Sequence, residues 1–386
     1  MVAAKRSVEV SELVAQFDEL EDPRSSINRK HPLSSVLCLS LMAVLAGADG
    51  PTGIRKWAEY KKDWLLHVLW LPQGLPSRDV IRRVLLALLP AEFQACFVKW
   101  LELLRGEPLP DELKHIAIDG KTMRRSHDRA KGLGPMHLVS AWLTQAGLTL
   151  GQVATEEKSN EITAIPELLR LIDIKGSVIT IDAMGTQTAI VEAIVNGGGD
   201  YVLALKANQE TTHTQLIDFI HEHVSNDFAD VTHEQLIEEN PKPAHGRRES
   251  RTYVQFDVPN VFLGQDKWKK LTSVGFVLSH RTVNGKLHTD IRYYLSSLKL
   301  NVRQFAKVIR DHWRIENTCH WSLDVTYGED GLRTRHRRIA ENLAWLRRFT
   351  LSLLKQHPAK SSLAMKRRGC AWDDRMLLQV LGFATT

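Results

Sequence analysis

The chain has 386 residues, 43% hydrophobic and 25% charged. That composition excludes a disordered, collagen-like or membrane-embedded protein and leaves room for two or three packed domains. Four cysteines without any C-x-x-C pairing exclude a zinc ribbon or a thiol-exchange motif, and the formal charge of +6 permits a polyanionic partner without demanding one.

The opening MVAAKRSVEV has no apolar core and no small-residue cleavage site, so the protein is expected to stay in the cytoplasm. The longest apolar stretch, Leu33 to Ala48, falls short of the roughly 20 residues a bilayer requires. It reads as a buried helix, and no membrane partner is expected. Helical periodicity recurs in VEVSELVAQFDEL, IRKWAEYKKDWLLHVL, SRDVIRRVLLALL and AEFQACFVKWLELL, with Ser77 as a candidate N-cap. Residues 1–112 are therefore expected to form a separable helical domain that ends in a GEPLP linker. Its basic helices IRKWAEYKK and SRDVIRRV are candidates to recognise DNA, and a helical assembly module is the alternative.

Beyond the linker the texture changes. HIAID, HLVSAWLT and LTLGQVAT are strand-like, and then EITAIPELLRLI (helix), SVITID (strand), TQTAIVEAIVNG (helix) and DYVLALK (strand) alternate. This is an α/β pattern with a mixed sheet. A β-rich stretch at about 208–300 follows, marked by LTSVGFVLSHRTV, Asn284-Gly285 and KLHTDIRYYLSSL, a hairpin signature. A helix is expected to begin near Val302 and run through WRIENTCHW. From Arg333 to Arg375 twelve Lys or Arg face three acids, a net +9. Such a run is either a solvated helix face or a phosphate-binding one, with Leu343, Trp345, Leu346 and Phe349 free to anchor its other side. Residues 351–386 read as a basic tail.

Asp119 ends the first strand and Asp182 the fourth, and in open α/β sheets ligands collect at the carboxyl ends of strands. Taken singly, each aspartate is a common turn or N-cap residue. Side by side on adjacent parallel strands they would make a hard-oxygen site suited to Mg²⁺. Glu316 is a third candidate, on a helix with His312 and His320 four residues to either side. A zinc reading of those three lacks the H-E-x-x-H spacing.

At IDGKTMRRS, ITIDAMGTQ and HWRIENTCHWSLDVTYGEDGLRTR the sequence resembles the DDE transposases of bacterial insertion sequences, in the ISAs-type branch with the H-repeat-associated proteins. HPLSSVL, TEEKSNEITAIPELL, DYVLALKANQ, HGRRESR and YYLSSL extend the resemblance over nearly the whole chain. It implies an RNase H-like mixed-sheet catalytic domain at 113–350 with a β-rich insertion, preceded by a helical N-terminal domain. It also implies Asp119, Asp182 and Glu316 as the catalytic and metal-binding triad for two Mg²⁺ (or Mn²⁺) ions. The separations are 63 and 134 residues, and the longer one fits the insertion.

The implied partners are DNA, as terminal inverted repeats and target, and a second copy of the chain in the DNA complex. Related transposases carry Tyr, Arg and Lys at −7, −4 and +7 from the Glu, where this chain has Ile309, His312 and Leu323. Lys121, Lys206, Arg333, Arg335, Arg337 and Arg338 are the candidates to hold the DNA backbone, the last four on a helix carrying on from Glu316. Two rivals stand beside this reading: a metal-dependent nuclease without strand transfer, and a catalytically inactive transposase-derived DNA-binding protein.

Overall fold

All thirteen residues of helix α1 (Leu33–Leu45) are buried, as an apolar run without a polar face requires. The computed structural model describes residues 14–15, 17–27, 29–105, 113–155, 161–239, 247–258 and 265–382. The GEPLP linker and much of VEVSELVAQFDEL lie outside them. Around α1 stand α2 (Pro51–Tyr60), α3 (Lys62–Val68), α4 (Arg78–Ala87) and α5 (Pro90–Arg105). The stretch read as one helix over 54–69 is two, because the chain leaves helical geometry at Lys61 (φ −107°, ψ 19°). Ser77 does cap α4, its hydroxyl accepting the Val80 N–H at 3.2 Å.

Next come β1 (Lys114–Met123), β2 (Met136–Leu143), β3 (Leu148–Thr155), α6 (Glu161–Leu171), β4 (Ser177–Ile181), α7 (Thr188–Asn196) and β5 (Asp200–Leu205). The five strands lie in the order β3-β2-β1-β4-β5, antiparallel from β3 to β1 and parallel from β1 through β4 to β5. This is the RNase H-like arrangement, and the two parallel pairs bring three carboxyl strand ends to one edge. After α8 (Glu210–Val224), strands β6 (His233–Glu239), β7 (Arg247–Asp257), β8 (Ser273–Val283) and β9 (Lys286–Ser296) do not form a separate layer. Strand β9 pairs with β5, and the order β9-β8-β7-β6 extends the same sheet to nine strands. Val283 and Lys286 pair across the Asn284-Gly285 turn, whose positive φ values (49° and 77°) suit those two residue types.

Helix α9 (Val302–His312) is capped by Asn301, whose side chain accepts the Gln304 N–H at 3.0 Å. It lays Val302, Phe305 and Ile309 against Val178, Val202, Tyr253 and Val277 of the sheet. The expected single helix through Trp321 is instead interrupted. A π-helical turn at Ile315–His320 follows α9, then α10 (Trp321–Val325) and a 3₁₀ turn at Glu329–Gly331. Residues 332–335 are irregular, and α11 starts only at Arg337 and ends at Gln356. No continuous helix therefore joins Glu316 to the basic segment.

Beyond Gln356 the residues read as a tail form α12 (Leu363–Trp372) and α13 (Asp374–Val380), which fold back on α11. One apolar core runs from Phe17, α1, α4 and α5 through β1–β5 to α11 and α13. The N-terminal helices thus share the core of the sheet region.

Candidate active site

Strands β1 and β4 run parallel with Ile118 opposite Ile181, so Asp119 and Asp182 occupy equivalent places just past the end of that pairing. Asp119 does not end its strand as the sequence suggested, because β1 stays hydrogen-bonded to β2 as far as Met123. Asp182 begins a 3₁₀ turn, where Met184 and Gly185 donate their N–H groups to its Oδ1 at 3.2 and 3.4 Å. The ordinary N-cap duty and the strand-end position coincide in that residue. The π-helical turn carrying Glu316 packs on β1, with Ile315 and Cys319 buried beneath it and Glu316 exposed. A π turn widens the helix and re-aims the side chains that follow, and such turns are frequent at functional sites.

Burial raises the Asp119 carboxyl to about 8, and the charges of Glu316, Asp182 and Glu161 push the same way against the 2.8 Å N–H bond from Gly120. Its other oxygen faces His320 Nδ1 at 3.5 Å. His320 is buried and its pKa is lowered to about 3, chiefly by desolvation, so it stands there as a neutral ring. Among the described residues no group of three or more His, Cys, Asp and Glu forms a ready metal cluster.

Two buried networks back this edge of the sheet. Thr180, two residues before Asp182, meets His115 Nε2 at 2.8 Å and His312 Nδ1 at 2.9 Å. A hydroxyl has one proton and two lone pairs, so at least one of the two rings donates to it. On the other side of β1, His137 bridges Thr122 (2.8 Å) and Glu161 (2.6 Å). Gly120 leaves the space they fill. Sequence reading quoted Glu161 only as part of a shared motif and missed His137, because their pairing is visible only once β2 and α6 are placed.

The basic candidates fall in different surroundings. Lys121 is 7% exposed, pairs with Asp324 at 2.7 Å and Asp330 at 3.0 Å, and so ties β1 to the chain beyond the Glu316 turn. Lys206 is exposed directly after β5. Arg333 and Arg335 are exposed, whereas Arg337 and Arg338 are half-buried and donate to the carbonyls of Gly134 and Leu88. Two further members of the +9 run, Arg347 and Arg348, are wholly internal and share buried Glu329.

A family model described as "DDE_Tnp_1-associated" matches residues 14–101, and one described as "Transposase DDE domain" matches residues 110–354. The chain is 36% identical to an Escherichia coli K12 protein named "H repeat-associated putative transposase YhhI" over 97% of its own length and 98% of that protein. It is also 36% identical to "Putative transposase YncI" of Escherichia coli O157:H7, over 96% and 95% of the two chains. A cryo-EM structure of the piggyBac transposase synaptic complex with hairpin DNA aligns over 97% of this chain and 83% of that one. Its TM-score is 0.33 and its identity 10%, a likeness too remote to bear on the site.

Proposed function

Since the chain belongs to the transposase DDE family, we propose that it cuts DNA at the ends of an insertion sequence and joins those ends to target DNA. The observation that carries this reading is the register that sets Asp119 beside Asp182 just past the last paired residues of the parallel strands β1 and β4, with the Glu316 turn packed on β1. Asp119, Asp182 and Glu316 would hold two Mg²⁺ or Mn²⁺ ions, and the fit is one of donor chemistry, since all three present hard oxygens and crowd like charge that a divalent cation relieves. Such ions supply activation of a water or a DNA 3′-hydroxyl and stabilisation of the leaving oxygen.

The protein's own part is positional. The N–H groups of Met184 and Gly185 fix one carboxylate oxygen of Asp182, and the Gly120 N–H does the same for Asp119. Lys206, exposed directly after β5, would meet a DNA phosphate, whereas buried Lys121 serves by anchoring Asp324 and Asp330.

Asp119→Asn, Asp182→Asn and Glu316→Gln each remove a ligand charge at nearly constant volume. Each is expected to leave folding and DNA binding intact and to abolish cleavage of duplexes carrying the terminal repeats that flank the gene. Parental cleavage by any one of them removes that residue from the triad. Pre-cleaved ends supplied with target DNA separate strand transfer from hydrolysis alone: joined products support transposition, and their absence beside continued cutting leaves a nuclease.

A further inference from the structure

The larger groove, about 990 Å³ and lined in part by Glu316, offers arginines that are already engaged. Arg310 pairs with Glu238, Arg281 with Glu249 and Arg292 with Asp290. A different cleft, of about 630 Å³, lies at the seam between the N-terminal helices and the segment before α11. Arg78 and Arg82 of α4 line it together with Arg333 and Arg335, and its acids are Asp79 and Asp128. All four arginines are exposed. Arg78 reaches Asp79 at 3.2 Å, a pair so open to water (59% and 63% exposed) that it compensates little. The side chains of Arg82, Arg333 and Arg335 have no hydrogen-bond or ion-pair partner among the described residues.

His336 also lines the cleft. Burial first, and then the charges of Lys131, Arg82 and Arg338, hold that imidazole below its ordinary pKa, with Asp128 opposing. Arg78 and Arg82 stand one helical turn apart, about 6 Å. Two arginines from α4 and two from the irregular 333–335 segment therefore gather four cations in one cleft, which suits a polyanion better than a single acidic group.

We infer that this cleft grips the backbone phosphates of duplex DNA between α4 and residues 333–335, as a binding surface apart from the carboxylate site. Its choice of DNA as the polyanion rests on the transposase reading. The region matched by the associated-domain model and the region matched by the catalytic-domain model then hold one duplex together, through contacts that ignore base sequence.

Salt titrations of binding test this, using a random-sequence duplex and the terminal repeat with the full chain. Arg78→Gln with Arg82→Gln removes one set of charges and Arg333→Gln with Arg335→Gln the other. All four side chains are exposed, so both variants are expected to melt like the parent. Each neutralised phosphate contributes about −0.9 to the slope of log K against log salt, so each variant should flatten the slope by about one to two units, equally on both DNAs. Lys175→Ala, exposed next to the opposite edge of the sheet, should leave it unchanged.

A parental slope in either folded arginine variant overturns the grip between two walls, and equal flattening by Lys175→Ala reduces it to bulk charge. A protein that shows the expected slopes but never cuts the terminal repeat keeps the cleft and loses the strand-transfer reading.

Discussion

A methyl group is all that separates Gly120 from alanine, and β1 has no room for it. A Cβ built there collides with His137 Nε2 and Glu161 Oε1, two atoms already held 2.6 Å apart in a buried pair. Neither is the loose end of a surface side chain, so the strand has to move away from its neighbours. Gly120→Ala is expected to cost about 1–3 kcal/mol, the usual scale of overpacking, and to slow cleavage by displacing the adjacent Asp119. Urea denaturation measures the first and the terminal-repeat assay the second; a parental unfolding midpoint would show that the His137–Glu161 pair yields. Asp119 and Asp182 themselves were legible in the sequence as aspartates closing apolar runs, although only Asp182 follows a strand end, since β1 continues through Gly120, Lys121 and Thr122 to Met123. The His137–Glu161 pair behind them was not, since no local pattern announces that residues 24 apart meet across a strand.

Helix α11 shows why counting charges along a chain misleads. Arg347 and Arg348 add to a basic run, yet they are 2% and 0% exposed and lie against Glu329, itself fully buried. Arg348 also reaches Ser140 of β2 at 3.2 Å, so the three residues bind helix, turn and sheet into one joint. Removing one partner of a buried ionic group strands the others without solvation, at about 3–5 kcal/mol. Glu329→Gln should therefore lower the melting temperature sharply, and an unchanged melt would mean that the guanidinium groups are held without it, by the Asp49 and Ala344 carbonyls and the Ser140 hydroxyl. The break in the Glu316 helix was equally hidden: WRIENTCHW contains neither proline nor glycine, and the π turn seats Ile315 and Cys319 beneath an exposed Glu316. The alternation of strands and helices from 115 to 206 was readable because apolar runs of two distinct periods alternate there.

At the scale of the molecule, α11 lies against α1, α4 and α5 on one side and β3 on the other. Asn342 donates to the carbonyls of Leu85 and Leu88 across that contact. A fragment from residue 113 onward would expose this apolar surface, so it should fail to show a cooperative thermal transition, whereas the full chain melts as one unit. A sharp transition in the fragment would support the separable domain that the helical pattern of residues 1–112 suggests. The strand order has a consequence in time as well as in space. Strand β5 finds its outer neighbour only in β9, roughly ninety residues further along the chain. At ribosomal speeds of about 5–20 residues per second, the apolar edge DYVLAL waits on the order of 5–20 s for its partner. Over that interval the emerging polypeptide carries an open, sticky strand, so the yield of native protein is set by how well the cell shields one edge until the hairpin 273–296 has been made.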